Sequence, residues 1–318
     1  MKLFSGIKFM NQKAMVKVLY SLTPLIIFSI GNYGWRVLLL LLVTCSTGLL
    51  TEWIFKRKTK KPLSKAVFVS AFLFTLTLPP RTPLWIAAIG MIFGILFARE
   101  TFGGFGRNVF NPAAASRAFV YVSFVKYMTA QWSEPAVPFM SGFSRYITDP
   151  IDVLAQSTPM LIFRESGAMA EYSNLFIGQV SGSLGETSAF LIILSGIYLA
   201  YKKVAHKETI LSVLGGYLIM STALFMLGVD QVPNPLWGLL AGGLLFGAVF
   251  MATDPVTSPK TFEGRIIYGL IIGSVTVIIR AFALFAGGIM FAILIANVFV
   301  PIIDVTVKSL KKRGEKSA

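Results

Sequence analysis

Two pairs of a polar residue and a proline interrupt apolar stretches of the chain, at Asn111-Pro112 and at Asp254-Pro255. A proline has no backbone N–H, so a helix that meets one leaves carbonyl oxygens free to coordinate a cation. Asp254 adds a carboxylate, and hard cations prefer oxygen ligands. The competing role is mechanical, because Asn and Asp also cap helix N-termini. The sequence predicts that the two pairs face one another, with Asp254 as a candidate Na⁺ ligand.

Four more charged side chains lie within or at the ends of apolar stretches: Glu52, Arg117, Arg280 and Asp304. Ionisable groups inside a membrane are costly and usually serve a function. The two acids lie near the ends of their stretches, where we expect them to be solvated unless they take part in ion passage. The two arginines are expected either to neutralise a bound anionic group or to extend to the membrane surface.

Two loop motifs suggest further sites. Gly103-Gly104-Phe105-Gly106 precedes a predicted helix, so its backbone N–H groups could meet an anion, or its glycines could simply permit a re-entrant turn. Ser157-Thr158-Pro159 has the pattern of a helix N-terminus, with a hydroxyl cap followed by proline at the first helical position.

Composition indicates that these residues lie in a membrane protein. The chain has 318 residues, of which 55% are hydrophobic and only 14% charged, whereas soluble domains are near 25% charged. A net charge of +15 can indicate nucleic-acid binding, but the basic residues lie in loops between apolar stretches, so no nucleic-acid partner is expected. The single cysteine, Cys45, excludes an internal disulfide and cannot by itself hold an iron–sulfur cluster.

The predicted fold is an all-α integral membrane protein with about ten transmembrane helices. Pro83-Leu84-Trp85 and Pro235-Leu236-Trp237 each open an apolar stretch, and a polar–proline pair follows each stretch. This internal sequence repeat predicts two inverted structural repeats with proline-broken helices, and a site near the interface between them. The predicted helices are 18–31, 37–55, 64–79, 84–98, 108–125, 187–202, 210–228, 236–251, 266–283 and 287–304.

The distribution of charge predicts the topology. With the N-terminus in the cytoplasm, most of the 29 basic residues fall on the inner side, which places both termini inside. The expected segments are a cytoplasmic lead-in (1–17), the first transmembrane repeat (18–125), an extracytoplasmic loop (126–186), the second repeat (187–304) and a basic cytoplasmic tail (305–318). The loop is rich in aromatic residues, so we expect it to be an ordered cap.

Three motifs together resemble one known family. Ala98 to Ala113, which spans the glycine cluster and Asn111-Pro112, is similar to the first-half signature of the NqrB/RnfD family. Met251 to Thr257, followed by Gly264-Arg265 and Asn297, resembles its second half, and Leu78 to Pro83 is also typical. The resemblance covers about residues 20–308. It implies a membrane flavin subunit of a respiratory redox-driven ion pump, most similar to the RnfD-type subunit of the Rnf ferredoxin:NAD oxidoreductase complex.

The resemblance also implies a flavin mononucleotide (FMN) joined by a phosphoester to Thr158. Asp152 stands six residues before that threonine, as in the family's attachment motif, whereas the residues between them depart from the motif. Ser157 is the second choice for the link. Further cofactor-binding candidates are Gly103, Gly104, Asn111 and Arg117. The family implies in addition a non-covalent riboflavin, for which no residue can be named.

The resemblance also implies the partner proteins, which are the other subunits of the Rnf-type complex. They are other membrane and peripheral subunits, including a second FMN subunit and iron–sulfur subunits, in a bacterial or archaeal cytoplasmic membrane. This chain alone is not expected to have a complete activity. The alternatives are the NqrB-type subunit of the Na⁺-translocating NADH:quinone reductase, a passive solute channel on a urea-transporter-like scaffold, and a structural anchor. Purified protein would be yellow if it carries flavin and colourless if it is a channel.

Overall fold

A computed structural model describes residues 8–57, 61–129, 132–144, 157–283 and 287–317. Asp152 lies outside the described residues. In the described part of the chain the regular structure is helical, and an isolated β-bridge joins Phe9 to Leu63. The predicted all-α class is therefore confirmed.

The first half of the chain contains five larger helices and one short one. They are α1 (Lys13–Tyr33), α2 (Arg36–Lys56), α3 (Ala66–Thr77), α4 (Leu84–Ala98), α5 (Pro112–Ser123) and α6 (Val125–Thr129). A 3-10 turn, Glu100–Phe102, follows α4, and a second 3-10 turn covers Ser141–Ser144. Two prolines follow α3, and the chain turns extended at Leu78 because the residue before a proline avoids the helical region.

The second half begins with two short helices and continues with longer ones. These are α7 (Pro159–Ser166), α8 (Tyr172–Ile177), α9 (Ala189–Tyr201), α10 (Lys207–Met226), α11 (Pro235–Leu240), α12 (Leu244–Phe246), α13 (Phe262–Phe282) and α14 (Ile289–Ser317). A π-helical turn, Gly247–Met251, continues α12. The predicted helix 236–251 is thus broken at Ala241, and the predicted tail 305–318 continues α14 as helix to Ser317.

Six stretches in the described residues are long and apolar enough to cross a membrane. They are Lys13–Tyr33, Arg36–Lys56, Leu84–Phe102, Lys207–Met226, Phe262–Phe282 and Ile289–Arg313. Helices α3 and α9 are apolar but shorter, and a full crossing takes roughly 20 residues. Length therefore supports six of the ten predicted spans, and the predicted stretches at α3, α5, α9 and α11 are too short to cross as straight helices.

Four helices begin with the same local chemistry. Asn111, Thr158 and Asn234 each accept a hydrogen bond from a backbone N–H of the first turn and are followed by proline. Ser188 caps α9 in the same way without a proline. The side-chain oxygen satisfies a donor that the helix leaves unpaired, and proline costs nothing at a position whose N–H has no partner.

The helices pack as two groups that meet in the middle of the molecule. Helix α2 packs on α3 and α4, and α4 packs on α5. Helix α10 packs on α13, and α13 packs on α14. The groups are joined where α1 contacts α9 and α5 contacts α14. The buried core runs through both groups and includes the broken stretch Leu244–Ala252.

Candidate functional site

The two polar–proline pairs are in contact, as the sequence predicted. The Asn111 side-chain amide donates to the Met251 carbonyl (3.2 Å) and to Asp254 Oδ2 (3.4 Å). The Asn111 backbone N–H donates to Asn297 Oδ1 (3.2 Å). Asn297 in turn donates to the Tyr268 hydroxyl (2.8 Å). The start of α5 is thereby joined to the end of the π-helical turn and to α14.

Both polar residues of these pairs have a mechanical role as well. Asn111 Oδ1 accepts the backbone N–H groups of Ala113 and Ala114, so it caps α5. Asp254 Oδ1 accepts the N–H of Val256 (2.9 Å) and holds the turn after the break. The mechanical alternative therefore has support for Asp254, whose second oxygen has a long contact to Asn111.

Asn111 and Asp254 line one wall of a cavity of about 610 Å³, which we call the Asp254 cavity. Its other polar lining residues include Arg99, Asn108 and Thr253, and apolar side chains of α1, α3 and α9 close it. Among the described residues, no three His, Cys, Asp or Glu side chains gather as a metal site. A cation here would have Asp254 as its single carboxylate ligand.

Glu52 is buried in an ion cluster rather than solvated, which corrects the expectation for this acid. Its side chain is 0% exposed, and Oε1 lies 2.7 Å from Arg99 Nη2. The same oxygen contacts Lys56 Nζ and accepts the backbone N–H of Ser64 (3.1 Å). These contacts tie α2, the Ser64 turn and the end of α4 together, so the charges compensate one another away from water.

The side chains of Arg280 and Asp304 form hydrogen bonds with backbone groups of this chain. The Arg280 guanidinium is buried and donates to the Gly238 carbonyl (2.7 Å), the Ala241 carbonyl (3.1 Å) and the Tyr217 hydroxyl (3.2 Å). It therefore supplies donors to the carbonyls at the C-terminal end of α11, where the helix breaks. Asp304 accepts the N–H groups of Lys260 and Thr261 and fixes the start of α13.

Thr158 lies at the N-terminus of α7, where its Oγ1 accepts the Leu161 N–H (3.4 Å), so the predicted cap is confirmed. Its side chain lines a second cavity of about 840 Å³, counting the part that opens to solvent, which we call the Thr158 cavity. The cavity has walls from the segment before α9, the break between α11 and α12, and the start of α14. Gly242, Gly243, Gly287 and Gly288 line it without side chains.

Two charged groups, Arg117 and Glu186, also line the Thr158 cavity. Arg117 is 3% exposed, lies over the Tyr121 ring at 5.2 Å, and donates to the Met128 thioether. Glu186 Oε1 is buried and has no hydrogen-bond partner among the described residues. Neither group has an ion-pair partner within 4.0 Å in the described part of the chain.

The predicted cofactor-binding residues that the structure describes divide among three places. Thr158 and Arg117 line one cavity, and Ser157 precedes Thr158 in the chain. Asn111 lines the other cavity, which shares no lining residue with the first. Gly103 and Gly104 form the left-handed turn before α5, with φ of 102° and 90°, next to the Glu100 and Arg107 side chains. Glu186 had no signal in the sequence, because a lone acid in a loop resembles any solvated residue.

Comparison with known proteins gives the family. The family model described as "NQR2, RnfD, RnfE family" matches residues 8–312. The chain is 34% identical over 297 residues to the RnfD-type subunit of the proton-translocating ferredoxin:NAD(+) oxidoreductase complex of Clostridium ljungdahlii, which covers 92% of this chain and 88% of that protein. It is 34% identical over 274 residues to the NqrB-type subunit of the Na(+)-translocating NADH-quinone reductase of Klebsiella pneumoniae strain 342, covering 84% of this chain and 65% of that protein.

The NqrB-type subunit of the same reductase from Pseudoalteromonas atlantica is similar to the same degree, with 35% identity over 280 residues, 85% of this chain and 67% of that protein. The chain thus spans about two thirds of the length of these NqrB-type relatives. With the six apolar helices and a match across nearly its whole length, the chain is an integral membrane protein that belongs to the NQR2, RnfD, RnfE family.

Proposed function

We propose that the chain is the flavin-bearing membrane subunit of a redox-driven ion pump of the Rnf type, with FMN esterified to Thr158. The relatives are subunits of ion-translocating oxidoreductase complexes, which supports the general role. An RnfD-type relative, 34% identical over 92% of this chain, supports the Rnf type. The NqrB-type subunit of the NADH:quinone reductase is the alternative.

The residues around Thr158 fit a tethered flavin. The Thr158 cavity is a partly open cleft lined mostly by apolar side chains, with the charged groups of Arg117 and Glu186 among them. The Thr158 side chain is half-buried on its wall, and the Oγ1 that would carry the phosphoester still has a lone pair for the Leu161 N–H. Gly287 leaves open space on the wall, since a Cβ there would meet nothing within 4 Å. Apolar walls with a few polar groups suit a large planar ring.

The chain holds α7 firmly against the membrane helices. Arg164 on α7 donates to the Ala283 carbonyl at the end of α13 (2.8 Å). Trp237 on α11 donates from its indole to the Ala170 carbonyl (2.8 Å), and its ring lies 5.8 Å from the ring of Phe163. A flavin supplies one- and two-electron transfer when it is bound, while the protein fixes its position and electrostatic surroundings.

Electrons must enter and leave this subunit through partners. With one cysteine the chain cannot itself hold an iron–sulfur cluster. The proposed partners are therefore the iron–sulfur and second FMN subunits of the complex, in the cytoplasmic membrane. The Asp254 cavity, which lies apart from Thr158, is the proposed place where Na⁺ or H⁺ meets this subunit.

An internal repeat relates the two helix groups in this proposal. Leu78-Pro79 follows α3, and Asp254-Pro255 follows the π-helical turn. After these, Pro83 precedes α4 and Pro259 precedes the loop to α13. In this alignment of the two halves, α2, α4 and α5 correspond to α10, α13 and α14. The contacts agree with it, because α2 packs on α4 as α10 packs on α13, and α4 packs on α5 as α13 packs on α14. This alignment differs from the one that the two Pro-Leu-Trp motifs suggest. Those motifs open the unbroken α4 in one half and the six-residue α11 in the other, and α4 corresponds to α13 rather than to α11.

Fluorescence of a denaturing gel tests the flavin proposal. Protein expressed with its complex should give a band at 34.8 kDa that fluoresces under ultraviolet light, since only a covalent cofactor survives denaturation. Thr158→Ala should abolish the band's fluorescence while the protein still inserts in the membrane. Ser157→Ala is the matched control and should fluoresce as the wild type does. Fluorescent Thr158→Ala protein would move the attachment site elsewhere.

A further inference from the structure

Arg117 is a buried cation whose donors are almost unused. It is 3% exposed, its one acceptor in the described residues is the Met128 thioether, and its Nε is buried without a partner. Sulfur is a weak acceptor, whereas a guanidinium offers five donors. The guanidinium carbon lies 5.2 Å from the centre of the Tyr121 ring, and Arg117 lines the Thr158 cavity.

Glu186 is the complementary group on the same cavity. Its side chain has a hydrogen bond with Ser183, but its buried Oε1 has no partner in the described structure, and the charges that act on the carboxylate are Arg117 and Arg280. The absence of a side chain at Gly243 leaves room for the Glu186 carboxylate, since a Cβ there would clash with it. Arg280 is committed to backbone carbonyls of α11 and to Tyr217, so it does not compensate Glu186 directly.

A buried donor set and a buried acceptor without partners indicate a polar ligand, because each unmade hydrogen bond of this kind costs about 1–3 kcal/mol. The ligand must present acceptors to Arg117 and a donor to Glu186. The pyrimidine edge of an isoalloxazine ring has this pattern, with an N–H between two carbonyl groups. We infer that Arg117 and Glu186 bind this ureide edge and hold the ring of the Thr158-linked flavin inside the cavity.

This inference rests on the proposed flavin and assigns two positioning residues to it. Arg117 lies where electron density accumulates when the ring is reduced, so its charge stabilises the reduced form. Glu186 accepts the ring N–H and keeps the ring out of solvent. The covalent bond is at Thr158 in either case, so loss of Arg117 or Glu186 leaves the attachment intact.

The test uses the assembled complex and two measurements on the bound flavin. Arg117→Gln should shift its reduction potential to a more negative value, and Arg117→Lys, which keeps the charge, should shift it less. Glu186→Leu should make the flavin's native fluorescence quenchable by iodide, whereas Glu186→Gln keeps an acceptor and should preserve the shielding. Lys126→Gln and Glu165→Gln, both exposed, are the matched controls.

All variants should give the fluorescent band of the wild type on a denaturing gel. A fluorescent band together with a potential and quenching equal to the controls would overturn the inference and leave the flavin proposal standing. A wild type without the band would overturn both. If Glu186→Leu does not fold, Gly243→Ala replaces it, because its Cβ displaces the carboxylate without changing the charge; unchanged shielding in that variant would likewise overturn the inference.

Discussion

Asp254 combines two roles that a single substitution separates. Its Oδ1 accepts the Val256 N–H, while Oδ2 lies 3.4 Å from the Asn111 amide nitrogen, and the residue lines the Asp254 cavity. Asp254→Asn keeps an oxygen for the cap and removes the charge. In proteoliposomes, the complex with this variant should reduce its flavin normally and lose coupled ion transport. The exposed Asp230→Asn is the control, and normal pumping by Asp254→Asn would leave capping as its only role.

Glu52 allows a prediction of stability. In Glu52→Ala the Arg99 side chain, which is 1% exposed, loses its shorter carboxylate contact and keeps the longer one to Glu100 (3.4 Å). Breaking a buried ion pair on one side costs about 3–5 kcal/mol. The variant should unfold at a clearly lower temperature in detergent. Glu263→Ala, which breaks the half-exposed pair with Lys311, should not change the midpoint measurably; an equal, small effect of both variants would contradict the buried cluster.

At this scale the sequence predicted the contact between the two polar–proline pairs and the cap at Thr158. The cap follows from local chemistry, since a hydroxyl before proline is a helix start, whereas the contact was predicted from the matching places of the two pairs along the chain. It did not predict the burial of Glu52, because Arg99 is distant in the chain and only packing of α2 on α4 brings the two together. Glu186 was missed for the same reason, since its cavity forms from six separate segments.

At the scale of elements, close packing of α10 and α13 depends on Gly273. A Cβ there would lie 2.2 Å from the Val213 carbonyl oxygen and 2.4 Å from the Tyr217 nitrogen, and backbone cannot move as a side chain can. Gly273→Ala should therefore destabilise the protein by about 1–3 kcal/mol, read as a lower unfolding temperature in detergent.

Gly215, also on α10, is the control. A Cβ there meets nothing within 4 Å, so Gly215→Ala should be neutral or stabilising by up to about 1 kcal/mol through helix propensity. If the two substitutions act alike, the described packing of α10 on α13 is wrong.

Hydropathy along the sequence predicted most of the longer helices. Helix α4 has the predicted bounds, because prolines precede it and a polar segment follows it. The break at Ala241 was not predicted, since the surrounding residues are uniformly apolar. The broken end depends on donors from Arg280, nearly forty residues later in the chain, and hydropathy carries no information on such long-range hydrogen bonds.

At the scale of the whole molecule, the basic residues predict the topology. In a background where the lone Cys45 is replaced by Ser, a cysteine at the exposed Ser173, on α8, should react with an impermeant maleimide added to intact cells. A cysteine at the exposed Ser309, near the end of α14, should react only after permeabilisation. The opposite pattern would reverse the orientation and place Thr158 on the cytoplasmic side.

The central claim is a flavin carried on Thr158 beside a cavity built from both helix groups. Mass spectrometry of the proteolytic fragment that contains Ser157 and Thr158, from protein expressed with its own complex, tests it most directly. The account predicts a fragment heavier by one FMN less one water, with fragmentation assigning the phosphoester to Thr158. An unmodified fragment in protein that nonetheless transfers electrons would contradict the claim.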